Sequence, residues 1–311
     1  VLAEQARYAM VRGFAVKYEI DGVSFEVRRE FDFSVLSRYG KVFCVFDGND
    51  SGNISFGVEG ERGRLFVKIA YAGTPNGKVP KSEVVASLRK AMPLYGALRH
   101  NSLIELVEHY PNGDAYVTVF KWACGECLLD YWNYDRYIQT GEKSPQMRFR
   151  ELPLETQLRS FAVVCDFLQH VAAQGYVAID FYDGSIMYDF ATDTTTICDI
   201  DFYEKTLHTV GDGPYWGSSR FMAPEESTRG SILDEVTNVY TLGATAFVYF
   251  GGVMNGLHSD GNRERENWQL SDERYAVAMK AVAEEKADRY RNIAEFISAW
   301  KNADKTGGSN G

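Results

Sequence analysis

The chain has no surplus of positive charge. Its 33 Lys and Arg are outnumbered by 43 Asp and Glu, a net charge of -10, which opposes nonspecific attraction to nucleic acid or to an anionic membrane. Neither is an expected partner. A membrane-length apolar run is also lacking: the most apolar stretch, 239–254, is short and interrupted by Gly and Thr, so it reads as a helix buried in a soluble core. No cleavable signal is visible at the start. Cysteine is scarce. The five, Cys44, Cys124, Cys127, Cys165 and Cys198, are an odd number and lie mostly in apolar runs, as expected of reduced thiols in a cytoplasmic protein. Cys124-Gly-Glu-Cys127 is a lone pair with no second CxxC, so a zinc or redox centre is not expected. No internal repeat is evident. Val1 precedes Met10, so residues 1–9 are expected to be foreign to the natural chain, and the KTGGSNG tail to be flexible.

Material for a core is abundant. With 311 residues, 45% apolar and 14% aromatic, the chain is long enough for one large bilobal unit or two domains. Up to about residue 123 it favours strands: VFCVF (42–46), ISFGVE (54–59), RLFVKIA (64–70) and AYVTVFKW (115–122) are rich in β-branched and aromatic residues. One helical stretch, 82–98, interrupts them, with Val84, Val85, Leu88, Met92 and Tyr95 near helical spacing and Pro93 expected to kink or end it. Beyond residue 128 helices dominate, at 155–175, 234–251, 271–284 and 291–301, with short strands at 186–189 and 195–198. The expected class is α+β: a small sheet lobe with one helix over 41–123, a larger helical lobe over 124–302, and an extension over 1–40 in which residues 10–40 are expected to add a strand and a helix ahead of the sheet lobe. Residues 303–311 form the tail.

Several groups could handle a phosphate. Gly48, Ser51, Gly52 and Asn53 make a tight turn between two strands, where bare backbone N–H groups can approach an anion; an ordinary hairpin uses the same residues. Lys68 lies inside an apolar strand, where a buried ammonium needs a partner. Glu83, at the start of the lobe's helix, is the nearest candidate. Asp180 follows the apolar run Val177, Ala178, Ile179, and Asp199 ends the apolar strand TTIC. Strands joined by a short turn would bring the two carboxylates to one edge, one to orient a hydroxyl and the other to hold Mg2+. The bland alternative for IDFYDGS is a plain turn.

Together these residues resemble the protein-kinase superfamily over roughly 43–300, and the order of the motifs carries the resemblance. Residues 48–58 are similar to the glycine-rich loop, and RLFVKIA to the strand with the ATP-binding lysine, Lys68. Glu83 matches the partner glutamate. VFKWACGECL resembles the hinge, which implies that Lys121, Trp122 and Ala123 offer backbone groups to adenine, with Phe120 as gatekeeper. IDFYDGS resembles the catalytic loop, with Asp180 the catalytic aspartate, and CDID the segment whose Asp199 binds Mg2+. The most specific match is GSSRFMAPEE (217–226), which resembles the end of the activation segment; Ser218 then bridges towards Asp180, and Arg289 is implied to pair with Glu225. NVYTLGATAF (238–247) resembles the buried helix that follows. The resemblance implies a bilobal protein-kinase-like fold, ATP and Mg2+ as cofactors, and transfer to a hydroxyl of a protein or small molecule.

The departures are specific. Ala178-Ile179 replaces the H-R of H-R-D, so activation through a phosphorylated residue on that arginine is not expected. Ser185 stands where the family has an Asn that binds a second Mg2+, with Asp183 close by to compensate. Tyr182 replaces the catalytic-loop Lys, and Asn238 the Asp that braces the loop. Asp201 gives a D-x-D pattern similar to that of aminoglycoside phosphotransferases, as do the phrases GNDSGNISF and WACGECL, so Asp201 joins Asp199, Ser185 and Asp183 as a candidate metal ligand. Three readings follow: a Ser/Thr protein kinase, a phosphotransferase acting on a cationic small molecule, and a nucleotide-binding pseudokinase scaffold.

Overall fold

A computed structural model describes residues 16–48, 51–71, 73–77, 79–130, 133–212, 217–251 and 262–306. The expectations for residues 1–9 and for the end of the tail lie outside the described residues, as do parts of the glycine-rich turn and of the 239–254 run. The fold is mixed α+β with several antiparallel sheets. Contacts divide the chain into two units: residues up to Gly96 with Ile104–Ala123, and Ala97–Leu103 with Cys124 onward.

The first unit is built on a five-stranded antiparallel sheet. Its strands are β3 (Lys41–Phe46), β4 (Asn53–Gly60), β5 (Gly63–Ala70), β6 (Leu106–Asn112) and β7 (Ala115–Lys121), in the order β3-β4-β5-β7-β6. Alternation selects the faces. Leu65, Val67 and Ile69 of β5 are buried with Ile54, Phe56 and Val58 of β4 and Val117 and Val119 of β7, whereas Phe66 and Lys68 turn to the other face. The buried face is covered by a hairpin, β1 (Val16–Ile20) and β2 (Val23–Val27), and by a short 3-10 turn at Phe33–Arg38. Here sequence reasoning expected a strand and a helix. Phe25, Phe33, Phe56 and Tyr18 interlock edge to face, at centroid separations of 5.0 to 5.4 Å.

Helix α1 (Lys81–Ala97) runs through Pro93 rather than stopping there. The proline removes the hydrogen bond to the carbonyl of Arg89, which is exposed, while Val84, Leu88, Met92 and Tyr95 stay buried and hold the helix together. Strand β6 has no counterpart among the expected strands; LVEHYPN contains Pro111, and as an edge strand it tolerates a missing donor.

The second unit contains α2 (Tyr134–Thr140), α3 (Pro145–Arg150), α4 (Leu154–Ala173), α5 (Glu235–Phe250), α6 (Asp272–Ala281) and α7 (Ile293–Thr306). In α4 Ser160, Phe161, Val164, Phe167, Leu168 and Val171 form one buried stripe, and Gly175, at φ 74°, follows its end as a left-handed terminator. Helix α5 is buried from Thr237 to Phe250, in keeping with a helix inside a core. Asp234 caps it by accepting from Val236 N at 2.9 Å. The segment 97–103 belongs to this unit. Ile197 N donates to Ser102 O at 2.6 Å, and His100 Nε2 lies 3.2 Å from Asp166 Oδ2. Among the described residues no helix is long and apolar enough to cross a membrane.

Candidate functional site

Small strands set the candidate site of the second unit. Strand β9 (Tyr176–Val177) leads into the Asp180 loop and pairs antiparallel with β12 (Glu204–Lys205), which leaves the Asp199 segment, with Val177 opposite Glu204. Between them lies the hairpin of β10 (Ile186–Asp189) and β11 (Thr194–Ile197), with β8 (Glu126–Cys127) on its open edge. Cys198 N donates to Ser185 O at 2.9 Å. The turn holding Asp180 is thereby tied to the residue before Asp199.

Both aspartates sit in the left-handed region, at φ 62° and 57°, where an L-residue pays a steric penalty that Asp tolerates better than most. Asp180 is half-buried; Asp199 is exposed. The phenols of Tyr182, partly buried, and Tyr203, buried, lie within the electrostatic reach of both. Burial foremost, then the charges of Asp180 and Asp199, push the Tyr182 phenol above its ordinary range, and burial followed by Asp199 and Asp180 does the same to Tyr203. The Tyr182 ring lies on Gly184, where a Cβ would come within 2.3 Å of it, so a side chain at 184 would displace that ring.

The loop is braced from α5. Ala178 N donates to Asn238 Oδ1 at 2.8 Å, and Asn238 Nδ2 donates to Tyr176 O at 3.1 Å. Asn238 is fully buried, and its amide serves a donor and an acceptor at once.

A small recess beside Asp180 is lined by Ala178, Gly217, Ser218, Met222 and Glu226 among others. Gly217 takes φ 134°, and its backbone passes Asp180 so closely that a Cβ there would stand 3.8 Å from Asp180 Cα. Glu226 is a buried acid of the recess lining. Its Oε1 accepts from Ala223 N at 2.8 Å, and burial, with the charge of Glu225 adding to it, pushes its carboxyl up to about 7.

Glu225, the neighbour of Glu226, meets Arg289 as the sequence implied. Nη1 donates to Oε1 at 2.7 Å and Nη2 to Oε2 at 2.9 Å, with Thr237 Oγ1 donating to Oε1 at 3.1 Å. Burial works to raise the Glu225 carboxyl, but the Arg289 bonds and charge outweigh it and leave it below its usual range. Arg289 spends further donors on the carbonyls of Ala283 and Glu284.

The remaining candidates fall as follows. Asp183 is fully buried, and both its oxygens accept from Arg220; Ser185 is buried too. Asp201 is half-buried, two residues beyond Asp199. Among the described residues no group of three or more His, Cys, Asp or Glu is gathered to hold a metal ion. In the first unit Lys68 is half-buried at mid-strand, opposite Ser55 on β4 and Thr118 on β7. Glu83 is exposed in the first turn of α1. Gly52 has φ 84°, Asn53 Nδ2 donates to Ser51 Oγ at 3.2 Å, and Gly48 O accepts from Asn76 Nδ2 at 2.9 Å. Phe66 and Phe120 face each other across the β5–β7 ladder, 6.4 Å apart, with Trp122 6.5 Å from Phe66. The N–H groups of Lys121 and Trp122 are engaged by Glu105 O and Arg64 O at 2.9 and 3.1 Å. All five cysteines are free thiols, with Cys124 exposed and Cys127 partly buried.

Sequence reasoning missed Arg220, Glu226 and Gln146. Nothing local marks Gln146, but Arg220 and Glu226 stand inside the quoted GSSRFMAPEE phrase. No family model matches the chain, and no curated protein is significantly similar to it.

Proposed function

We propose that the chain is an ATP-dependent phosphotransferase of the protein-kinase-like class, with the sheet unit and the helical unit as its two lobes and a serine or threonine hydroxyl of a protein as acceptor. One observation carries the reading: two aspartates, both at left-handed φ, stand on loops tied to each other by the β9–β12 pair and by the Cys198–Ser185 bond. An ordinary turn needs no such pairing. The half-buried Lys68, which shares a strand face with Phe66, and the 217–226 segment anchored by Arg289 support it as well.

In this reading Asp180 receives the acceptor's hydroxyl proton, and Lys68 steadies the phosphates. Asp199 offers hard, solvent-reachable carboxylate oxygens, with Asp201 nearby, a donor set that fits a divalent ion whose remaining ligands come from phosphate and water. Mg2+ there would neutralise phosphate charge. Ser218, beside Asp180 in the recess, lies on the acceptor's side. Of the hinge candidates, Ala123 N–H remains for a base once those of Lys121 and Trp122 are engaged in the sheet.

The scaffold reading has one observation in its favour. Asp183 is taken by Arg220 and Ser185 is buried, which weakens a second metal position. The decisive measurement is nucleotide binding with and without Mg2+, followed by γ-phosphate transfer to a generic basic protein and to an aminoglycoside panel. Asp180→Ala is expected to keep ATP affinity and lower turnover by about 100-fold or more. Lys68→Ala is expected to weaken productive binding. Unchanged turnover in both variants rejects the enzyme, and Mg2+-dependent binding without transfer to any acceptor selects the scaffold.

A further inference from the structure

Asp183 lies in the loop that carries Asp180, is fully buried, and takes its cation from a distant part of the same unit. Arg220 Nη1 donates to Oδ2 at 2.9 Å and Nη2 to Oδ1 at 2.6 Å, a two-pronged bond from a side chain that is only 14% exposed. Gln146, from the first turn of α3, adds a third donor to Oδ2 at 3.2 Å. The main chain around Asp183 is itself held: Leu129 N donates to Asp183 O at 3.3 Å, and Ser185 N to Tyr182 O at 2.9 Å. On the other partner's side, Phe221 N and Met222 N donate to Ser218 O at 2.8 and 3.2 Å, so Arg220 sits within a compact turn whose ends, Gly217 and Met222, border the Asp180 recess.

A carboxylate withdrawn so completely from water is strongly unfavourable without such a partner, and the residues just before Asp180, Ala178 and Ile179, supply no cation. We propose that Arg220 is the positioning residue of this site: its bond to Asp183 docks the 217–222 turn against the Asp180 loop permanently, with no phosphate needed. The polarity follows from the chemistry. The loop contributes the acid and the segment the arginine, so a phosphate on the exposed Ser219, next to Arg220, competes with Asp183 for the guanidinium and loosens the turn. The docking claim stands on the ion pair alone; its consequence for turnover rests on the phosphotransferase reading.

Hydrogen exchange on the full chain tests it, with the amides of α5 as internal control. Arg220→Met and Asp183→Asn are each expected to speed exchange about tenfold in both 217–222 and 181–186, with the double variant no faster than either single one. Arg220→Lys should restore part of the protection. Phosphatase treatment of the wild type should change nothing, and Ser219→Asp should speed exchange. In a transfer assay Arg220→Met should lower kcat about tenfold with KM for ATP within about twofold. Slow exchange persisting in both segments of Arg220→Met, or loss of wild-type protection after phosphatase, overturns the proposal. A wild type without transfer overturns the phosphotransferase reading instead and leaves the exchange result to decide the ion pair.

Discussion

Among the described residues of the helical unit two arginines clasp carboxylates, and the two clasps differ in how they are finished. Arg289 holds Glu225 and Arg220 holds Asp183, each with two parallel bonds, and each carboxylate accepts a third bond from a neutral side chain, Thr237 or Gln146. Arg289 is fully enclosed and also serves two carbonyls, whereas Arg220 keeps an edge towards solvent. The first is built like part of the core. The second is built to hold one surface turn in place, and it is the one that borders the recess.

The sharpest way to break this contrast is to remove the enclosed cation. Arg289→Met strands Glu225, already largely desolvated, and is expected to cost about 3–5 kcal/mol in urea unfolding, against a local effect with little global loss for Arg220→Met. Equal losses in the two variants would erase the distinction.

Glu226 probes the first clasp from its side. Its carboxyl is raised to about 7 in the folded chain, so the folded state binds the proton more tightly than the unfolded one. Stability therefore falls as pH rises from the ordinary carboxylate range to about 7 and levels off above it. Glu226→Gln, which keeps an oxygen for Ala223 N, should flatten that slope by up to about 3 kcal/mol between pH 4.5 and 7.5. A slope unchanged in the variant assigns it to another group.

The smallest effect should come from the neutral third donor. Gln146→Leu is expected to cost about 1.5 kcal/mol or less, because the 3.2 Å bond is long and Arg220 remains to satisfy Asp183. A loss as large as that of Arg289→Met would mean that Gln146, not Arg220, secures the carboxylate.

The two clasps also mark what a one-dimensional reading can reach. Glu225 and Arg289 were legible because each stands in a phrase with a recognisable order. Asp183 and Arg220 were not: Asp183 sits in a run of loop formers and was offered as a metal ligand, and nothing in IDFYDGS indicates that its side chain turns inward. Strands β4, β5 and β7 were legible through their alternation, whereas β6 was hidden by Pro111, whose cost disappears at a sheet edge. The hairpin at Val16–Val27 escaped notice because its purpose is to cover a face made by strands that come later in the chain.

Asn238 has an effect that reaches beyond geometry. A carboxylate in its place would repel the carbonyl of Tyr176 until acid neutralised it, so its hold on the loop would change with pH; an uncharged carboxamide makes both contacts in either condition. The brace beneath Asp180 is consequently indifferent to acidity, so whatever pH dependence this loop displays must arise from the groups it carries and not from the strut that supports it.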